Sequence, residues 1–211
     1  MSLKERDNMA SALQKGRMTV SQQIEIEFKN LLTEAEFNKA TAYFNITSDM
    51  FAKQVNHYFE TPAYNLKDKN SALRIREKDG KAELTLKQPA KEGLLETNQT
   101  LSASQVKTAL ETGNIPEGIV MSALFNLVGS EQLHHFGSLI TRRAETPYKS
   151  GLIALDISDY LNKTDYEIEY EVEDAKQGQE TFLHLLNQLS IPLRDTENKI
   201  KRFYNEKYKS I

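Results

Sequence analysis

The feature that most limits the fold is an alternation of apolar and charged residues in which each stretch keeps its charges on one side. Ile24-Glu25-Ile26-Glu27-Phe28-Lys29 sets the pattern, and a period of two is that of a β-strand, whose successive side chains point to opposite faces. Leu73-Arg74-Ile75-Arg76, Leu84-Thr85-Leu86-Lys87 and the run from Tyr166 to Glu173 repeat it, the last with Glu167, Glu169, Glu171 and Glu173 on one side. Segments 55–60, 139–146 and 152–157 complete seven predicted strands, and Asp79-Gly80 between two of them is a hairpin signal. Strands that alternate this way belong to an antiparallel sheet, and with the helices below they define an α+β domain.

Thr33 with Glu36 forms a capping box that opens a helix through about Phe44. Ser102 with Gln105 opens another, which Gly113 stops; Pro116 introduces an apolar helix that ends at Gly129. A third short helix is predicted over 131–136, so residues 102–138 read as a helical insert between two sets of strands. Further helices are predicted over 179–189 and 197–208. Residues 1–20 are polar and unpatterned and are set apart from a single domain over 21–211.

The 27 Lys and Arg nearly balance the 30 Asp and Glu, leaving a net charge of -3, so bulk charge gives no reason to expect a nucleic-acid partner. The absence of cysteine excludes disulfides, thiolate metal sites and a thiol nucleophile. No apolar run is long enough for a membrane helix or a secretory signal, and the expected location is the cytoplasm. Gly-rich phosphate loops of the Walker or Rossmann type are missing. His134 and His135 are adjacent rather than four apart, and they, His57 and His184 are read as structural or surface residues. The oligomeric state is not legible.

Solvent is the simplest destination for the charged faces. Like charges two residues apart repel, however, and every apolar face can pack beneath helices, so the charged side can equally be the interior of a curved sheet. A dry interior of that kind is not viable: each unpaired buried ion costs several kcal/mol, against a total stability of about 5–15 kcal/mol. The interior must be wet, internally paired, or filled by something carrying both signs. Acidic rows suit cations, and rows of Arg and Lys suit phosphate or carboxylate. A metal-bound polyphosphate meets both demands.

These residues resemble the CYTH family, the class IV adenylate cyclase and thiamine triphosphatase group of triphosphate tunnel metalloenzymes. Glu25-Ile26-Glu27-Phe28-Lys29 matches the family's Glu-x-Glu-x-Lys strand, and His57-Tyr58-Phe59-Glu60-Thr61 its Tyr-Phe-Asp-Thr strand with Glu for Asp. Arg74 and Arg76, Lys87, Arg143, Asp156 followed by Tyr160, Glu167-Ile168-Glu169-Tyr170-Glu171, and Lys199 with Arg202 follow in family order. The resemblance implies a closed eight-stranded antiparallel β-barrel tunnel with helices outside. It implies Mg²⁺ or Mn²⁺ held by Glu25, Glu27, Asp156, Glu169 and Glu171, with Glu167 ranked below its neighbours. It implies a phosphate clamp of Lys29, Arg74, Arg76, Lys87, Arg143, Lys199 and Arg202, with Arg142 and Lys201 facing outward. Glu25, Glu27, Lys29, Glu169 and Glu171 are the expected catalytic group. The activity expected is metal-dependent hydrolysis of a triphosphate, whether inorganic, thiamine or nucleoside. The alternatives are cyclisation of ATP and non-catalytic polyphosphate binding.

Overall fold

The computed structural model describes residues 20–209, so the polar N-terminal segment lies outside the described residues. Its strands are β1 Val20–Leu32, β2 Ala52–Glu60, β3 Ala72–Lys78, β4 Lys81–Pro89, β5 Leu94–Leu101, β6 His134–Tyr148, β7 Gly151–Tyr160 and β8 Lys163–Val172. They close on one another in the order β1-β5-β4-β3-β2-β6-β7-β8, every pairing antiparallel. β1 shuts the barrel alone. Its first half pairs with β5 as far as Glu25, and from Ile26 onward it pairs with β8. The turn into β5 presses on that switch point: at Gly93, φ +66°, a Cβ would lie 2.1 Å from the Glu25 carbonyl oxygen, so only glycine fits.

The helices are α1 Glu34–Tyr43, α2 Asn65–Asp68, α3 Ala103–Thr112, α4 Ile119–Val128, α5 Ala175–Gln188 and α6 Lys199–Lys209. Both capping boxes form: the Thr33 hydroxyl accepts from the Glu36 amide while the Glu36 carboxylate accepts from that of Thr33, and Ser102 and Gln105 do the same. The helix expected over 131–136 does not form. β6 begins at His134, which pairs with Glu60, so the helical insert ends before it and both histidines belong to a strand. Pairing with β2 outweighs the weak helical preference of that segment.

Alternation decides what each face meets. Outward Leu73, Ile75, Leu84 and Leu86, all fully buried, pack under Val106 and Ala109 of α3 and Val120 and Leu124 of α4. Outward Ile153, Leu155, Ile168 and Tyr170 pack under α1 and α5 through Phe37, Phe182 and Leu185. Each such side chain contributes about 1.5–3 kcal/mol, so the helices outside the wall make the inside-out barrel stable. α6 lies across one end, where its Ile200, Phe203 and Tyr204 meet inward Tyr58, Leu139 and Tyr160. A β-bulge at Phe136, where Tyr58 pairs with Gly137 but Phe59 with His135, turns Phe136 into the same cluster. Among the described residues no helix is long and apolar enough to cross a membrane.

Candidate active site: a tunnel with an acidic and a basic wall

The barrel encloses a cavity of about 340 Å³ lined almost wholly by polar side chains. Period two puts Glu25, Glu27 and Lys29 of β1, Lys87 of β4, Glu96 of β5 and Glu171 of β8 on its inner surface. Arg74 and Arg76 of β3 line it from the strand diametrically opposite β8, beside Asn56 and Tyr58 of β2. The cavity therefore has an acidic wall and a basic wall.

Between them lies a block of ion pairs. Arg143 of β6 grips Asp156 of β7 through two hydrogen bonds of 2.7 and 2.6 Å and also reaches Glu169 of β8. Lys199, in the first turn of α6, lies 2.8 Å from Asp156 and 2.7 Å from Glu167, and contacts Glu169 as well. Burial alone would raise both carboxyls and lower both bases. The close opposite charges win, holding Asp156 and Glu169 below, and Arg143 and Lys199 above, their ordinary values. Glu167 goes the other way, to about 7, because burial and the neighbouring Glu169 outweigh Lys199 and Arg202.

On the acidic wall Lys87 lies 2.5 Å from Glu25 and 2.6 Å from Glu96, and Lys29 contacts Glu27. Burial opposes the charge on Lys29, but Glu27, Glu169 and Glu167 together hold it above the usual lysine range. Glu171 has no Lys or Arg within 4 Å among the described residues, and burial, Glu96 and Glu27 push its carboxyl up. On the basic wall burial, Arg74 and Arg143 bring Arg76 down to about 10; its Nε donates to the Asn56 side chain at 3.1 Å. The buried Nε of Arg74 has no hydrogen-bond partner among the described residues.

Of the residues singled out from sequence, Glu25, Glu27, Lys29, Arg74, Arg76, Lys87, Arg143, Asp156, Glu169, Glu171 and Lys199 line this one cavity. Arg202 does not. It is buried behind the lining, on Asp165 at 3.0 Å, on Glu167 and on the Glu197 carbonyl, and so braces α6. Glu167 faces inward but is taken up by Lys199 and Arg202. Arg142 and Lys201 face solvent, paired with Asp159 and Glu197. Glu96 was missed with its strand. Asn56 and Tyr58 share the inward parity of β2 and were legible in principle. His57 and His135 lie on the outer face, both bonded to the Ser138 hydroxyl. Among the described residues no three His, Asp or Glu side chains stand ready as a metal-ligand set; most of the cavity carboxylates are turned toward lysine or arginine.

The closed eight-stranded barrel with charge-lined interior is the tunnel architecture, and the sequence matches the CYTH domain over residues 23–204. The chain belongs to the CYTH family. It is 51% identical over 193 residues to the "Putative triphosphatase YjbK" of Bacillus subtilis (strain 168), covering 91% of this chain and all of that protein. A crystal structure described as a "putative adenylate cyclase" from Bacillus halodurans superposes with a TM-score of 0.83 at 46% identity, covering 87% of this chain and 98% of that one. HpAC1 from Hippeastrum, described as a "putative adenylyl cyclase" that reveals a dominant triphosphatase activity, shares the fold with a TM-score of 0.74 at 22% identity, over 86% and 96% of the two chains.

Proposed function

We propose that the protein is a triphosphatase: it binds a small triphosphate in the tunnel and, with a divalent cation, hydrolyses a phosphoanhydride bond. The observation that carries this is the basic wall. Arg74 and Arg76 are the cavity arginines without a carboxylate in ion-pair range among the described residues, one with an orphaned Nε and the other depressed to about 10. Two adjacent half-buried guanidiniums that repel each other lack an anion among the described residues, and a phosphate chain offers the bidentate oxygens they need. The reading agrees with the name of the Bacillus subtilis relative.

The donor set fits a hard cation. Among the described residues Glu25, Glu27, Glu96 and Glu171 crowd one wall with Lys87 and Lys29 as the bases in ion-pair contact, and none of these contacts reaches Glu171. Glu25, Glu27 and Glu171 would hold Mg²⁺ or Mn²⁺, and Asp156 and Glu169, now held by Arg143 and Lys199, would complete the oxygen set. Such an ion neutralises phosphate charge and lowers the pKa of a bound water. The chain's own part is positioning and charge neutralisation, which is most of what phosphoryl transfer asks of a protein. Arg74, Arg76 and Arg143 orient phosphoryl oxygens, while Lys87 and Lys199 add point charge. Lys29, held protonated, acts as a cation and not as a base.

Hydrolysis is favoured over cyclisation by the lining. Tyr58 is its one aromatic residue among those described, and it is buried against α6, so the lining offers no exposed aromatic platform for adenine. The test is product analysis with inorganic triphosphate, thiamine triphosphate and ATP, each with Mg²⁺ or Mn²⁺. Orthophosphate release that stops on chelation is expected. Cyclic AMP and pyrophosphate from ATP, or binding without turnover, would overturn the reading.

A further inference from the structure

Glu60 ends β2 with its side chain fully buried and, among the described residues, no lysine or arginine side chain in ion-pair range. Four strong donors satisfy it instead. One oxygen accepts from the amides of Thr61 at 2.7 Å and Leu66 at 3.1 Å, the other from the Lys67 amide at 3.1 Å and the Tyr204 hydroxyl at 2.6 Å. A buried carboxyl group held only by donors is acceptor on both oxygens, and its loss would strand them all.

These donors belong to two parts of the cavity. The Leu66 and Lys67 amides open α2, and the Leu66 carbonyl in turn accepts from Ser71 at 2.8 Å, immediately before β3. Asn70 and Ala72 line the cavity there, and Arg74 follows. Tyr204 sits on α6 five residues beyond Lys199, which reaches into the cavity from the covered end. One carboxylate thus ties the entry to the arginine strand to the helix that carries a cavity lysine. Arg202 pins the opposite side of α6 to β8, while toward β3 the helix is held by the Tyr204 hydrogen bond, with the Tyr208 ring packed on Tyr64 beside it.

We propose that Glu60 is a positioning residue for triphosphate binding, which fixes Lys199 relative to Arg74 through Tyr204 on α6 and the amides of α2. The proposal rests on the triphosphatase reading above, and its test separates the two. Inorganic triphosphate is titrated calorimetrically into the full chain, wild type, Tyr204→Phe, Lys199→Ala and the double variant, with steady-state kinetics on the first two. Tyr204→Phe is expected to weaken binding and raise KM about tenfold, the worth of one hydrogen bond to a charged group, with kcat unchanged, because an aligned phosphate contact is lost from ground and transition states alike. In the Lys199→Ala background the same substitution should cost less than about twofold, since its effect passes through Lys199. Glu60→Gln, where it folds, should act in the same direction. Undiminished binding by Tyr204→Phe, a loss that persists in full without Lys199, or a lowered melting temperature with unchanged KM would overturn the positioning role. Failure of the wild type to bind or hydrolyse inorganic triphosphate would overturn the functional reading itself, and the positioning role with it.

Discussion

Replacing Arg76 by methionine should stabilise the ligand-free protein while removing its response to triphosphate. The drop of Arg76 from the ordinary arginine value to about 10, at about 1.4 kcal/mol per pKa unit, sets about 3 kcal/mol against the folded, charged form. The sign is that of a base depressed on folding: neutral pH lies below both values, so the whole penalty is present there and fades only as pH rises through and beyond 10. Methionine removes it and keeps the stem's packing, but gives up the hydrogen bond to Asn56, worth about 1 kcal/mol. The net gain is about 2 kcal/mol, and at about 2–4 °C per kcal/mol for a domain of this size Tm should rise by about 4–8 °C. Inorganic triphosphate at a hundred times its Kd should stabilise the wild type by about 2.7 kcal/mol and Arg76→Met far less. Thermal melts of both proteins with and without triphosphate test this. A variant that melts below the wild type without ligand, or that gains as much from triphosphate, refutes the argument that Arg76 lacks an anion.

Glu27→Gln should lower metal-dependent phosphate release by about 100-fold or more with little change in the melting curve; undiminished turnover in a phosphate-release assay would remove Glu27 from the site. Gly137→Ala should cost about 1–3 kcal/mol, because the added Cβ would lie 2.6 Å from the Phe203 ring on α6; an unchanged chemical denaturation midpoint would show that the helix yields easily. Burial, then the neighbouring His57, lowers His135 below its ordinary 6.5. Stability from its neutral form is therefore present above about 6.5 and is lost as pH falls through the lower folded value. His135→Gln should flatten the fall in Tm between about pH 7 and 5, and an equally steep fall would assign that slope to other groups.

The parts of the structure legible in the sequence are those where packing and alternation agree. Arg74 and Arg76 flank buried Ile75, and Glu167, Glu169 and Glu171 flank buried Ile168 and Tyr170, so parity placed them opposite the apolar face, and the family resemblance made that face the lumen. β5 was hidden because both of its faces are polar: Glu96 and Asn98 face the cavity, while Thr97 and Gln99 are buried outward, Gln99 bonded to the Glu117 carbonyl under α4. Parity also gives side without depth. It could not separate Glu167, consumed by Lys199 and Arg202, from Glu171, which is open to the cavity. Lys199 and Arg202, three apart on a helix, share a face, yet only the first reaches the lumen. The β-bulge at Phe136 has no local signature, being set by a partner strand more than seventy residues earlier.

That β1 alone closes the ring has a kinetic consequence. Its partners, β5 and β8, lie about 70 and 140 residues further along the chain; the β8 seam spans the longest separation in the ring, well beyond that of β2 with β6, so it carries the largest loop-closure cost and belongs among the last pairings to form. Glu25 and Glu27 travel on the same strand, and they face Glu96 and Glu171 only once both seams are shut. A chain arrested before that step has no assembled acidic wall, so divalent-cation affinity during refolding should report ring closure itself.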